Sequence, residues 1–372
     1  MKIHFFQPQF PCITRHHILR RFLGCLLLTC PVNAAVAEMK PPFETRAPDA
    51  KAAPKACPAL TQPVVSFDLP SKYGPAQSGS QGKKRDTVDD DAELAFETAM
   101  KPIKVFMADV VKAANDYHRT GRQTAAACAL GHLAHWAKDD ALREPVSHTS
   151  YYKLATTVAG LSSAMMQIEP AISGRSMERQ LVSQWLANRA IQVRSHFEGL
   201  KTPRSSRNNH RAWAGLAVAS VGIVSKDKAL FDWGLASYKL VVCQATAEGA
   251  LPLELERGSK AREYHLYALA ALTPLAEMGT RNGIASYSEC NDALHRIAAF
   301  TIAAMDDQSA IAKLAGVKQS GGNKMPSASK LTFLEPYGSR FPGKVPDMDR
   351  LTKQRPFGLT DLGGSQTILY GR

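Results

Sequence analysis

Acidic residues are scarce: 33 Asp and Glu against 46 Lys and Arg leave the 372-residue chain at +13. Such an excess points to a polyanionic partner and says nothing about fold. The basic residues form no dense run and aromatics reach only 8%, so nucleic acid is one polyanion among several and is not the expected one. No stretch beyond the N-terminus has 18 consecutive apolar residues, which excludes a polytopic membrane protein. There is no CxxC pair, which argues against a zinc or redox site, and no EF-hand loop or histidine metal motif. The expected chemistry therefore needs no metal or cofactor. Sustained period-two alternation is also missing, so a strand-rich fold fails. No 34- or 40-residue signature recurs, which disfavours tetratricopeptide and HEAT arrays. What remains, 45% hydrophobic and 21% charged, is an ordered chain long enough for one large core or two modest ones.

Residues 1–37 read as an export signal. Arg15, Arg20 and Arg21 precede the apolar run from Phe22 to Leu28, and Ala35-Val36-Ala37 supplies a small-x-small cleavage site. Pro31 and Asn33 interrupt the run too early for a membrane span. The mature chain would begin at Glu38 in the periplasm, without a membrane anchor. Losing Lys2, Arg15, Arg20 and Arg21 with no acid leaves +9. Cys12, Cys25 and Cys30 leave as well, and Cys57, Cys128, Cys243 and Cys290 remain. Four suits an oxidising compartment with three possible connectivities, although two buried thiols at Cys243 and Cys290 are an open alternative.

Residues 38–70 form a Pro/Ala-rich segment expected to be extended, and 70–91 a Gly/Ser-rich surface loop. From Ala92 to Asp306 a 3.6-residue period dominates. Leu154, Val158, Leu161, Met165 and Ile168 show it most clearly; Val182, Leu186, Ala190, Val193 and Phe197 repeat it. Asp90 and Asp91 suit a helix N-terminus. Breaks at Gly121, Glu169-Pro170, 201–203, 225–227, Gly249 and Gly279 divide the stretch into about eight helices. Successive helical hairpins of this length close into an α/α toroid or stay an open bundle or solenoid. Residues 316–330 read as flexible, and the Pro-rich tail 331–372 as irregular chain wrapping the body.

Two polar clusters interrupt this helical territory. Arg207-Asn208-Asn209-His210-Arg211-Ala212-Trp213 opens a helix, with Asn208 a candidate N-cap. Leu251-Pro252-Leu253-Glu254-Leu255-Glu256-Arg257 is followed by Tyr264-His265-Leu266-Tyr267. Arg257 and Tyr264, seven apart, share a face if the helix is continuous, which Gly258 opposes. Asn, His, Arg and Tyr together suit β-elimination from a uronic acid. The C5 proton is weakly acidic beside an anionic carboxylate, so its removal needs groups that neutralise the carboxylate and stabilise the dianion. A base takes the proton and an acid protonates the leaving O4; a phenol near cations can do either. The main competing chemistry is glycoside hydrolysis with Glu254 as acid and a second carboxylate such as Asp232 or Asp306.

These clusters belong to an ordered set of motifs: Ser71-Lys72-Tyr73, Cys128-Ala129-Leu130 with Trp136, Asn208-Asn209-His210 with Trp213, Leu230-Phe231-Asp232-Trp233, Leu251-Pro252 with Glu254-Leu255, Tyr264-His265 with Tyr267-Ala268-Leu269, and Leu334-Glu335-Pro336-Tyr337. In that order, from about Ser71 to the C-terminus, the chain resembles the bacterial periplasmic poly(β-D-mannuronate) lyases, or alginate lyases. The resemblance implies a 71–372 α/α-toroid domain with a deep groove for alginate, a lid loop carrying Lys72 and Tyr73, a Cys57–Cys128 disulfide and a monomeric enzyme. It assigns carboxylate neutralisation to Asn209 and Arg257, proton chemistry to His210 and Tyr264, and sugar stacking or subsites to Trp136, Trp213 and Tyr267. In mannuronate the C5 hydrogen and O4 lie on one side, so Tyr264 can serve first as base and then as acid beside a neutral His210. Leu253, Ala212 and Leu266 depart from the family's usual Asn, polar group and Asn, and bear on substrate preference. Glucuronan- or hyaluronan-type polyuronates, or a non-catalytic exopolysaccharide-binding role, are the alternatives.

Overall fold

Asp89 accepts a hydrogen bond from the Ala92 N–H and starts the first long helix, α1 (Asp90–Thr120), with Asp90, Asp91 and Glu93 in its first turn. Acids there meet the positive end of the helix dipole. The computed structural model describes residues 38–71, 89–201, 203–322 and 324–371. The expected signal 1–37 and the lid residues Lys72 and Tyr73 lie outside the described residues. After α1 come α2 (Gln123–Lys138), α3 (His148–Ile168), α4 (Ser176–Gly199), α5 (Asn209–Ser225), α6 (Lys228–Val242), α7 (Ala261–Arg281) and α8 (Glu289–Asp306).

Four expected breaks have visible causes. Gly121 closes α1 at φ 74, and a Cβ there would come within 2.7 Å of the Asp49 Cβ. Pro170 sits in a 3₁₀ turn, Glu169–Ala171. Leu200 leaves α4 in an extended conformation, ahead of a short turn, Pro203–Arg207. Lys226 turns left-handed at φ 60, after which Asp227 caps α6 through the Ala229 and Leu230 N–H groups. Gly279 is no break: α7 runs through it to Arg281, and a Cβ at Gly279 would overlap the Ser286 hydroxyl. The break over 139–147 has no glycine to announce it. Tertiary contacts impose it: Leu142 and Arg143 N–H groups donate to Val64 and Val65 carbonyls at 2.8 and 2.9 Å, and Trp185 donates to the Ala141 carbonyl at 2.7 Å.

Burial sorts the helices into two layers. In α3 every residue from Leu154 to Ile168 is buried, as is every residue of α5 from Ala212 to Val224 and of α7 from Ala268 to Gly279. Helices buried on all sides belong inside. With α1 they form an inner ring packed in succession, α1 on α3, α3 on α5, α5 on α7. The helices α2, α4, α6 and α8 lie outside; α4 buries one stripe, including Val182, Leu186, Ala190, Val193 and Phe197. This is the α/α toroid.

The flanking segments are more ordered than their composition suggests. Phe43, Phe67 and Leu69 of the N-terminal segment enter the core. Gln319 is buried, its side chain accepting from the Arg262 N–H and donating to the Gly258 carbonyl. The tail contains short helices at Leu334–Arg340, Met348–Thr352 and Gln366–Tyr370 and a two-stranded ribbon pairing Gly358–Leu359 with Gly364–Ser365. It packs on the inner ring, where a Cβ at Gly160 would collide with the Thr360 carbonyl. Cys57 pairs with Cys128, and Cys243 with Cys290, so the latter are not free thiols. The closed loops span 71 and 47 residues, each constraining the unfolded chain by about 4 kcal/mol. Calorimetry with and without reductant should show a clearly lower melting temperature for the reduced protein; equal values would mean neither bridge constrains unfolding.

Candidate active site

Asn208 caps α5 by accepting the His210 N–H at 3.0 Å, as its residue type predicts. The neighbouring Asn209 is fully buried. Its backbone N–H and its Nδ2 donate to the two carboxylate oxygens of Glu254, at 2.7 and 2.9 Å. A carboxylate 45 positions away thus satisfies a helix-start N–H that has no partner inside its own helix. Glu254 is 1% exposed. Burial raises its pKa to about 7, against the opposing pull of the two Asn209 bonds and of Arg257. Asn209 Oδ1 has no hydrogen-bond partner among the described residues.

His265 holds the second cluster against α7. Its Nε2 accepts the Leu251 N–H at 2.9 Å while Nδ1 bonds the Ala261 carbonyl at 2.8 Å, which requires the neutral ring with its proton on Nδ1. Burial lowers the pKa of His265 to about 4, consistent with that form. The segment then turns: Pro252–Leu255 is one helical turn, and Gly258 takes φ 60 before a 3₁₀ turn leads into α7. Helix continuity is lost as Gly258 suggested, yet the turn brings Arg257 back. Its Nη2 donates to the Tyr264 hydroxyl at 2.7 Å and its guanidinium lies 3.9 Å from the Tyr264 ring centre.

Aromatic groups join the two clusters. The His210 ring stacks on Tyr152 of α3 at 4.0 Å, and the Tyr152 hydroxyl donates to that of Tyr267 at 2.5 Å. Burial pushes the pKa of both phenols upward, so they stay protonated. Tyr264 contributes electrostatically at both, which places it in the same neighbourhood. His210, Arg257, Tyr264, Tyr152 and Tyr267 are each half-buried, so the cluster meets solvent on one side. Lys153 faces Asp361 of the tail at 3.7 Å, and Asp361 acts electrostatically on Tyr267.

The structure therefore brings Asn209, His210, Arg257, Tyr264 and Tyr267 into one region. Two expectations need correction. Trp136 is fully buried, stacked on Phe106 at 3.8 Å with its Nε1 on the Thr61 carbonyl, so it is core and cannot stack on a sugar. Trp213 is equally buried; its Nε1 donates to the Tyr267 carbonyl at 3.2 Å, which makes it a support beneath Tyr267. Glu254 is spent on Asn209 and inaccessible as a glycosidase acid. His148, Tyr152, His196 and Asp361 were missed. The run His148-Thr149-Ser150-Tyr151-Tyr152-Lys153, polar and aromatic immediately before the apolar stripe of α3, was the available signal. Among the described residues, each grouping of three metal-type ligands contains both sulfurs of a disulfide, Cys57 and Cys128 or Cys243 and Cys290, and such sulfurs offer no thiolate.

Known proteins are similar to the chain in both sequence and architecture. Among solved structures, the chain is similar to alginate lyase A1-III from Sphingomonas species A1, at 27% identity and TM-score 0.70 over 86% of each chain. It is also similar to a histidine-to-alanine variant of alginate lyase A1-III complexed with a tetrasaccharide, at 26% identity and TM-score 0.73 over 86% of this chain and 88% of that one. An alginate lyase of Pseudomonas syringae pv. tomato is 31% identical over 84% of this chain and 82% of its own length. That of Pseudomonas aeruginosa is 28% identical over 94% and 95%. The pattern shared by the alginate lyase family matches residues 46–311, a span that includes both polar clusters, and the chain belongs to that family.

Proposed function

We propose that the protein is a polysaccharide lyase that cleaves β-1,4 bonds of mannuronate-rich alginate by β-elimination, leaving a 4,5-unsaturated uronate at the new non-reducing end. The observation that carries the reading is the Arg257–Tyr264 hydrogen bond at 2.7 Å, in one region with the buried Asn209 amide and His210. A guanidinium donating to a phenol oxygen stabilises negative charge that develops there when the phenol is engaged in proton transfer. In this reading Tyr264 takes the C5 proton and then protonates O4 on the same face of the sugar. Arg257 stabilises the carboxylate as charge builds on it, the Asn209 amide, buried on Glu254, fixes the start of α5, and His210 completes the site as a neutral ring. Tyr152 and Tyr267, with pKa values raised by burial, position the sugar rather than exchange protons.

The charge of +9 left after signal removal suits a polyanion, because attraction raises the encounter rate. The enzyme would act as a periplasmic monomer. Incubation with polymannuronate, polyguluronate, glucuronan and hyaluronan, following ultraviolet absorbance of the unsaturated product, tests the reading. The fastest rise is expected with polymannuronate. A faster rise with glucuronan or hyaluronan would move the substrate, and none with any polyuronate would overturn the lyase assignment.

A further inference from the structure

Three imidazoles form a continuous row beside the proposed site. His196 Nε2 lies 2.9 Å from His148 Nδ1, and His148 Nε2 lies 3.0 Å from His210 Nδ1. Tyr151 stacks on His196 at 3.9 Å and Tyr152 on His210 at 4.0 Å, so both end rings are held in plane. The row joins three helices: His148 is the first residue of α3, His196 lies in the last turn of α4, and His210 is in the first turn of α5.

Proton counting leaves the neutral row only two states. Three neutral rings carry three N–H protons, and the two ring-to-ring bonds use two of them. The third sits at one end, either on His210 Nε2 or on His196 Nδ1. The donor direction along the row follows from that choice, so the tautomer of His210 is coupled to a ring two residues away in the row. Helix dipoles favour the second. His148 and His210 stand at positive N-terminal ends, which disfavour added positive charge, and His196 stands at a negative C-terminal end, which favours it. Burial lowers the pKa of His196, which favours its neutral form. Charged neighbours on α4, Arg194 and Glu198, pair with each other at 3.1 Å, and Arg211 beside His210 on α5 is directed to the Ser237 hydroxyl.

We propose that His148, backed by His196, is a positioning residue that holds His210 in the tautomer protonated on Nδ1, leaving Nε2 as the lone-pair side of the ring. Neither His148 nor His196 need touch the sugar. The kinetic part of the proposal rests on the lyase reading; the tautomer does not.

Two measurements separate the cases. Nitrogen-15 NMR of histidine-labelled protein, with the His210 signals assigned through His210→Gln, should show a protonated Nδ1 and a bare Nε2 in the native chain. His148→Ala should move His210 toward the opposite tautomer and lower kcat at least about tenfold with KM within about twofold. His148→Gln, whose carbonyl oxygen can accept from Nδ1, should restore most of both. A native His210 protonated on Nε2, or His210 signals unchanged in His148→Ala, overturns the proposal. If the native chain has no lyase activity but the tautomer responds as expected, the lyase reading fails and the positioning role stands.

Discussion

Replacing Tyr264 by phenylalanine is expected to lower turnover by about 10²- to 10⁴-fold, the range for losing a positioned proton-transfer group, while polymer affinity is nearly unchanged. The hydroxyl removed is the one that accepts from Arg257 at 2.7 Å. The ring, over which the guanidinium sits at 3.9 Å, is kept. Because Tyr264 is half-buried and reaches solvent, the melting temperature should move little. Initial rates of product absorbance, binding of the same polymer and calorimetry read the three quantities separately. Turnover within a few-fold of the native enzyme would remove Tyr264 from the chemistry. A large drop in melting temperature would instead mark its hydroxyl as a structural group.

Glu254→Gln is expected to have the second largest effect, and a pH-dependent one. The carboxylate accepts from both the backbone and the side chain of Asn209; an amide presents one acceptor and one NH₂, which opposes Asn209 Nδ2. Relief requires the Asn209 amide to turn over, which is possible because its Oδ1 has no partner among the described residues. Turning the amide over disturbs the start of α5, which places His210, and kcat should fall on the order of 10²-fold, as for small misplacements of catalytic groups. Stability should respond in the other direction. The native pKa of about 7 lies above the ordinary 4.5, so between those values the folded chain holds a proton that the unfolded chain has released. Native stability contributed by this group is full below pH 4.5 and falls as pH rises toward 7, by on the order of 3 kcal/mol in all. Glutamine has no proton to lose, so the variant should lose this part of the slope and gain relative to the native chain as pH rises. Urea unfolding at several pH values measures the slope; parallel curves would show that Glu254 is not the buried titrating acid described here.

Much of the helical body was legible because its signal is local. Fifteen consecutive buried residues of α3 appear in the chain as Leu154, Val158, Leu161, Met165 and Ile168, and the acids Asp90 and Asp91 in the first turn of α1, the cap at Gly121 and the break at 225–227 rest on residue types whose charge, side chain or backbone freedom bounds a helix by itself. The break at 139–147 was not legible, because carbonyls of Val64 and Val65 create it from outside. Trp136 and Trp213 illustrate the same limit at single positions. An indole is equally suited to a core or to a sugar, and only packing against Phe106 or beneath Tyr267 settles which.

The site divides along the same line. The sequence alone determined the chemistry on offer: a basic chain with few acids, two short runs holding Asn209, His210, Arg257 and Tyr264, and the order of motifs that marks the family. Only tertiary structure decided how those groups are held. Glu254 reaches back 45 positions to Asn209, Tyr152 crosses 115 to Tyr267, and His148 joins His196 and His210 across 48 and 62. Periodicity and capping act within a few residues, whereas a hydrogen bond between distant groups exists only after the inner helices have packed and brought their ends together.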